Sequence, residues 1–548
     1  MKHTNLFCFL TILVLLFAAP FAHAATYYVA TAGNDANPGT QAQPFRTIAK
    51  GIVVSAANGD TVLLADGTYN ERGLDFGTKN LVLQSTSNNP TACIMDCQQL
   101  GNGIFIRGGQ TLATTISGLT IRNAVTVGGT FSGSFGSSTM YINSSSVTIT
   151  NCIFMNNNSV GANGLMMVSG GSAAITNCTF TTTVAQAPSG TTVAVRGSGA
   201  TLTNCTFSGN FCASLELSSG SSTVTNCSFT GNARNSGGGG AMRHSGGMAT
   251  LTRCSFTNNA AWYGGAIHKN GGSLFVNQCV FIGNRATLEE QVGGGGGIFL
   301  EGGQMTVTNS LFANNTTAQY ISLGGVRING HSIYVESSDA TLVNCTFLGG
   351  WTNEITTANL VEYNSTLTVV NSIIRGGDSP FSHGDIYTSG GTVSVTYSNT
   401  QRGFAGTGNI TADPQFVNAA GGNYRLQSTS LCVNTGNAAA PNLPPSDLDS
   451  APRILGSAPD MGAYEFWNSA SGTWFVDKTL GNDSTGNGSP TAPYRTVTKA
   501  YTVAANGHKL YIKAGNYGTD KLPALPRMTK SLRLSNWLNT GLSRIGQP

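Results

Sequence analysis

Between residues 116 and 400 one short pattern of apolar and polar positions recurs: an apolar alternation, then Asn-Cys-x-Phe, then a small turn that often holds Asn. It appears at Asn151-Cys152-Ile153-Phe154, Asn177-Cys178-Thr179-Phe180, Asn204-Cys205-Thr206-Phe207 and Asn226-Cys227-Ser228-Phe229. Variants follow at Arg253-Cys254, Gln278-Cys279, Asn309-Ser310, Asn344-Cys345 and Asn371-Ser372. The Cys-position spacings are 26, 27, 22, 27, 25, 31, 35 and 27, with no helical periodicity inside them. A period of this size predicts one turn of a β-solenoid per repeat. Cys and Phe lie two apart and therefore share one strand face. Stacked rungs place them inside as parallel columns spaced about 4.8 Å, and the longer spacings hold outward loops such as 286–297.

The Asn three residues after Phe (Asn157, Asn210, Asn232, Asn259, Asn284, Asn315) is read as a structural corner residue. Asn tolerates the left-handed region, and its amide can bond the Asn of the next rung. The predicted fold class is all-β: a right-handed single-stranded parallel β-helix of ten to thirteen rungs, about 50–60 Å long.

Composition supports the array. The 548 residues include 71 Gly and 17 Pro, and only 9% are charged, which excludes a coiled coil and charge-driven disorder. The net charge of +4 is uneven: residues 473–548 hold ten Lys/Arg against three Asp/Glu, the remainder 18 against 21. A mildly acidic body is not expected to bind nucleic acid. Lys2 and His3, the apolar run Leu6–Ala19 and Ala22-His23-Ala24 form a signal peptide over 1–24. No further apolar stretch is long enough for a transmembrane span, so the protein is expected to be secreted, extracellular or on the cell surface.

Phe256-Thr257-Asn258-Asn259 followed by Gly264-Gly265-Ala266-Ile267 resembles the paired FxxN and GGA(I/L/V) repeats of chlamydial-type polymorphic outer-membrane proteins, with looser copies at Gly239-Gly240-Ala241-Met242 and Gly296-Gly297-Ile298. More broadly, residues 60–400 resemble the pectin-lyase-like β-helix superfamily. The first family ends in a β-barrel translocator; no run of alternating membrane strands follows here, so self-insertion into an outer membrane is not expected. Residues 25–60, with Gly33-Asn34-Asp35 and Pro44-Phe45-Arg46-Thr47, resemble the opening module of secreted β-helix proteins, and Ile48–Ala57 predicts a short capping helix. Residues 401–467, ending in Asp460-Met461-Gly462-Ala463-Tyr464-Glu465-Phe466, resemble a choice-of-anchor region and read as a C-terminal cap on the 61–400 helix.

After a linker at 468–472, residues 473–548 repeat the beginning. Gly481-Asn482-Asp483 matches Gly33-Asn34-Asp35, and Pro493-Tyr494-Arg495-Thr496 matches Pro44-Phe45-Arg46-Thr47. A second helix is expected to start here and stop after one or two rungs, as a truncated gene would also produce. Too short to bury a core, it should be a separate appendage that orders only by stacking on the cap or on another chain's open end.

Candidate chemistry is sparse. Cys152, Cys178, Cys205, Cys227, Cys254, Cys279 and Cys345 read as a ladder of inert buried thiols, because in-register Cβ vectors run parallel. Cys93 and Cys97 are the better disulfide candidates, and no Cys or His spacing suits zinc. Aligning rungs on the Gly-Gly turns gives an outward column Met167, Ala194, Glu216, Arg243, His268, Phe299, Tyr334, and two residues further on Ser169, Arg196, Ser218, Ser245, Asn270, Glu301, Glu336. The ligand-binding candidates are Glu216, Arg243, His268, Phe299, Glu301, Tyr334 and Glu336. Their bland reading is mutual neutralisation, Glu216 against Arg243 on adjacent rungs.

The expected role is structural and adhesive, binding an extracellular polysaccharide or cell-surface glycan with no cofactor. The alternative, implied by the superfamily, is a polysaccharide lyase on acidic sugars, with Arg243, His268 or Lys269 near the chemistry. Only that alternative calls for calcium, and no cluster of carboxylates appears in the aligned columns.

Overall fold

In the computed structural model the described residues are 24–56, 58–125, 138–159, 164–185, 190–287, 294–318, 321–322, 325–326, 329–349, 357–376, 385–517 and 532–536. The signal-peptide reading of residues 1–24 thus falls almost wholly outside them. The chain winds as a right-handed parallel β-helix with three long parallel sheets. Sheet 1 runs from Thr26–Val29 to Thr392–Thr396, sheet 2 from Gly67–Tyr69 to Asn399–Thr400, and sheet 3 from Leu74–Asp75 to Ile386–Ser389. One rung shows the plan: sheet 1 Met248–Thr252, sheet 2 Ser255–Thr257, sheet 3 Ile267–Asn270, then Gly271-Gly272 and the next sheet 1 strand, Ser273–Asn277.

The corner between sheets 1 and 2 is made by a single left-handed residue, the first of each Asn-Cys-x-Phe. Asn151, Asn177, Asn204 and Asn226 have φ of 52–54°, and Arg253 and Gln278 have 54°. This corrects the placement of the left-handed bend. The Asn after Phe is not itself left-handed; the residue before it is, as at Asn156, Asn258 and Gly283. The later Asn forms the expected ladder, fully buried. Asn232 Nδ2 donates to Asn259 Oδ1 at 2.9 Å and to Phe207 O at 3.0 Å, and Asn259 repeats both bonds one rung on. Each amide thus satisfies buried groups on two rungs at once.

The Phe column stacks face to face from Phe154 to Phe312 at 4.4–4.9 Å between ring centroids. The Cys column beside it is buried, and all eleven described cysteines are free. Cys93 and Cys97 correct the disulfide expectation: both are buried and free, Cys93 on the strand Cys93–Asp96 and Cys97 just past its end. Where Ser310 replaces Cys, its hydroxyl accepts from Cys279 N (3.1 Å) and donates to Thr308 O (2.8 Å).

On the outer face of sheet 1, the strands from Val147–Thr150 to Met248–Thr252 align two columns in register: Thr148, Ala174, Thr201, Thr223, Thr250 and, two residues on, Thr150, Thr176, Thr203, Thr225, Thr252.

Connections differ by edge. Every sheet 1 to sheet 2 corner from residue 147 onward is two residues long, whereas sheet 2 to sheet 3 connections range from four (209–212) to seventeen (123–139). Length variation therefore collects along one edge, beside sheet 3, as per-repeat insertions in solenoids do.

Helix α1 (Ile48–Val54) covers the opening rung, with Thr47 Oγ1 accepting from Lys50 N. At the other end, Tyr397 N donates to Thr407 O and Asn399 pairs Ile410, closing the last rung. From residue 413 the segment turns back along the solenoid's side. Tyr424 packs on Leu311 and Ala313, and Ala440 on Val343 and Val370. Arg453 is its pin: almost fully buried, it donates to Glu465 Oε1 from Nε (2.8 Å) and to Asn309 Oδ1 from Nη1 (3.0 Å), so it grips a corner residue of the helix.

The tail repeats the opening module in detail. Asp35 accepts from Arg46 N, Thr47 N and Thr47 Oγ1; Asp483 accepts from Arg495 N, Thr496 N and Thr496 Oγ1. Helix α2 (Val497–Val503) corresponds to α1, and Trp474, Val476, Leu510 and Ile512 give it a small core. The tail stacks on the 401–467 segment, one of the two ways it was expected to order: Phe475 and Tyr511 stack at 5.2 Å and pack on Ala451, Leu455 and Trp467. Docking supplies the apolar burial that the module's own rungs lack.

Candidate functional site on the face of sheet 3

The register of sheet 3 is the one the glycine turns imply: Met167↔Ala194↔Glu216↔Arg243↔His268↔Phe299↔Tyr334. The column continues to Val361 and Tyr387. Its chemistry differs from expectation in three ways.

First, most of it is covered. Phe299 is 1% exposed and Tyr334 0%, so neither presents a ring for a sugar to stack on. Tyr263 lies edge-on to His268 (4.7 Å) and Phe299 (5.4 Å), and Phe299 and Tyr334 form an outer apolar cluster with Ala358 and Val361.

Second, the charges pair diagonally between columns, not along one. Glu216 is bound by Arg196 Nε at 3.2 Å, and His268 Nε2 meets Glu301 Oε2 at 3.2 Å. Burial pushes the His268 imidazole below its ordinary value against the pull of Glu301. At neutral pH the ring is therefore neutral and the contact is a hydrogen bond. Arg243, half-buried, makes no ion pair among the described residues. Arg234, almost fully buried, donates from Nη1 to Gly238 O at 2.9 Å.

Third, Lys269 points inward. It alternates with His268, shares the core side with Ile267, and is 0% exposed. Its Nζ donates to Gly271 O, Gly272 O and Gly302 O at 2.9–3.0 Å, tying two successive turns together. A Cβ at Gly303 (φ 79°) would stand 2.3 Å from Gly272 O and 2.7 Å from that Nζ, which is why glycine is needed there. Lys269 therefore cannot reach a ligand on the outer face.

Sequence reasoning missed a second feature, at the sheet 3 to sheet 1 edge of the late rungs. A polar groove of about 540 Å³ runs across successive turns, lined by Gln304, Ser337, Asp339, Asn364, Thr366 and Thr392 among others. Its floor is held by Glu362, inward and fully buried, which accepts from Ser365 N (2.6 Å), Thr388 Oγ1 (2.5 Å) and Ser389 N (3.2 Å). Beside it, half-buried Tyr363 and Tyr387 continue the aromatic stack from Tyr334, at 5.5 and 5.7 Å between centroids. Tyr363 directly precedes Asn364 of the groove wall. Short Ser, Asn and Gly turns are too common to have marked this site in the sequence.

Among the described residues no group of three or more His, Cys, Asp or Glu is placed to hold a metal ion. Glu216 and Glu301 are committed to Arg196 and His268, so the donor set does not fit calcium and no step is derived through it. No helix among the described residues is long and apolar enough to cross a membrane.

Comparison with known proteins agrees on the fold. The family described as "Right handed beta helix region" matches residues 81–235, 138–294 and 191–349. "Protein of unknown function (DUF1565)" matches 479–532, within the repeated opening module. No curated protein matches significantly. Similar solved structures include pectate lyase Pel9A (14% identity, 81% of this chain and 97% of that chain, TM-score 0.36). The XylC complex with xylose is another (9%, 72% and 87%, 0.39). So is tailspike protein 3 of bacteriophage CBA120 (11%, 70% and 60%, 0.31). The chain is a right-handed parallel β-helix whose body is similar to the right-handed β-helix family.

Proposed function

We propose that the protein is a secreted or cell-surface β-helix with a structural and adhesive role, and that it binds glycan at the sheet 3 to sheet 1 edge of its late rungs. The observation that carries this reading is the Tyr363–Tyr387 ledge beside the polar groove. Aromatic faces supply apolar contact to sugar rings, while Asp339, Asn364, Gln304 and Thr366 offer donors and acceptors for hydroxyls. The test is a glycan array with purified protein, followed by Tyr363→Ala with Tyr387→Ala, and separately Asp339→Ala. Each should weaken binding while leaving the thermal midpoint nearly unchanged. Glycan binding that survives both would place the site elsewhere.

A second reading, a lyase on acidic sugars, rests on Arg243, whose guanidinium makes no ion pair among the described residues, stands in register with His268 of the His268–Glu301 pair and could hold a uronate carboxylate. Incubation with uronate polymers, with and without calcium, should yield unsaturated products under this reading. Their absence across the panel removes it.

A further inference from the structure

The late rungs differ in charge from the rest of the chain. Residues 301–400 hold two Arg and no Lys against seven Asp/Glu, in a chain whose net charge is +4. Of the two, Arg327 lies outside the described residues. Arg375 is turned to another edge, where it donates to Asn399 Oδ1 and to the carbonyls of Thr411 and Ala412.

The polar groove shares that sign. Asp339 is the one charged residue that lines it, in register with Gln304 on one side and with Thr366 and Thr392 on the other. It is exposed and makes no ion pair among the described residues. The floor residue Glu362 is held by two backbone amides and the Thr388 hydroxyl, all of them neutral donors. Lys269 lies behind Gly303 at one end of the groove, but it is fully buried and committed to three glycine carbonyls. A ligand in the groove therefore meets carboxylates and neutral hydrogen-bonding groups, with half-buried tyrosine rings on the ledge beside them.

These features discriminate among sugars. A uronate or sulfated ring would bring a like charge against Asp339 and find no cation in the lining. A neutral ring would displace water from Asp339 and return only hydroxyl hydrogen bonds. A protonated amine answers the carboxylate and the ledge together, since it pairs with Asp339 and is drawn to the faces of Tyr363 and Tyr387. A solvated acidic patch would account for Asp339 alone, but not for a tyrosine ledge along the same cavity. We infer that the groove selects glycans with a free amine, polymers of unacetylated amino sugar, over neutral and acidic ones. This rests on the glycan reading of the groove and names the substrate class within it. The four turns that line the groove span about 14 Å along the helix axis, which suits a short run of rings and not a single one.

The test uses the full chain and three probes in calorimetric titration: a chitosan hexamer, its N-acetylated counterpart and an oligomannuronate. The chitosan hexamer should bind tightest and weaken as salt is raised, the acetylated hexamer should bind more weakly without salt dependence, and the oligomannuronate should not bind. Asp339→Asn keeps size and hydrogen-bonding capacity. It should cost about tenfold in affinity for the chitosan hexamer and leave the acetylated one within about twofold, with the thermal midpoint unchanged. If that variant unfolds, the salt series on the wild-type protein decides alone. Oligomannuronate binding that is lost in Tyr363→Ala with Tyr387→Ala, or an Asp339→Asn variant with the wild-type preference, overturns the inference and leaves the groove a glycan site. Oligolysine bound as tightly as the chitosan hexamer, and lost in the same variants, overturns it in favour of a basic peptide. Failure of every oligosaccharide to bind, or binding that survives the tyrosine variants, removes the glycan site and the inference with it.

Discussion

Lys269 lies directly opposite His244 in the parallel register, both inside the solenoid and both fully buried. The lysine is satisfied by three glycine carbonyls, and burial pushes it down to about 8, so it stays charged at neutral pH. Lys269→Ala would leave Gly271 O without its donor among the described residues, at about 1–3 kcal/mol if it finds no water, whereas Gly272 O keeps Gln304 N and Gly302 O keeps Gly271 N. Thermal unfolding should show a loss of several degrees, with glycan binding by the folded fraction unchanged. A stable variant lacking only binding would return Lys269 to the ligand site.

The histidines give the solenoid an acid limit. Burial, and for His244 also the nearby Lys269, pushes His244 and His331 down to about 4. Their folded values lie below the ordinary 6.5, so the stability they contribute is full above 6.5 and lost as pH falls towards 4. At pH 5 the loss is about 2 kcal/mol per histidine. His244→Leu should flatten the fall in thermal midpoint between pH 7.5 and 5. An unchanged pH profile would mean the ring is hydrated.

The lateral segment has the opposite sense. Burial holds Asp447 up at about 7 and Asp460 at about 6. Groups raised in this way stabilise at low pH and lose that contribution as pH rises through the folded value. Protection factors in 413–467, which remove the intrinsic rise of exchange with pH, should therefore fall between pH 4 and 7, while those of the rungs around His244 rise over the same range.

Arg453→Met tests the same segment directly. Removing the guanidinium leaves Asn309 Oδ1 without its donor and Glu465 Oε1 with Asp460 N, and breaking a buried pair costs about 3–5 kcal/mol. Limited proteolysis should cut within 413–467, and the tail, which docks on Ala451 and Trp467, should be released with it. Resistance equal to wild type would show that the apolar contacts of Tyr424 and Ala440 suffice.

The Cys ladder predicts a contrast at one position. Cys205→Ser should change stability by about 1 kcal/mol or less, because Ser310 already bonds the neighbouring rung from that slot. Cys205→Asp buries an unpartnered carboxylate and should cost several kcal/mol. Urea unfolding of the two variants separates a packed interior column from an exposed one.

The repeat and its register were legible because burial enforces them: Phe on each rung from Phe154 to Phe347, Gly-Gly at turns such as 170–171, 246–247, 271–272 and 302–303, and a side-chain period of two leave one alignment. Even the column from Met167 to Tyr334 follows residue by residue. The cover over Phe299 and Tyr334 was not legible, because it comes from neighbours such as Tyr263 on variable connections whose course no periodicity records. The left-handed corner was misplaced because Asn suits both positions. The glycines preceding the ladder, Gly209, Gly231 and Gly283, were the available signal. Lys269 misled because a charged residue adjoining two others was assigned their face, although alternation places it opposite His268.

Two of the three corners are uniform in the middle of the molecule, and the third absorbs every difference in length. Excising or duplicating one complete rung, from Cys205 to Cys227 for instance, would join equivalent backbone positions on all three sheets at once. Such a change alters how far the molecule reaches by about 4.8 Å and leaves its cross-section as it was. For a chain of this design, length is a quantity that recombination can adjust in whole steps, independently of whatever the sheet 3 edge displays.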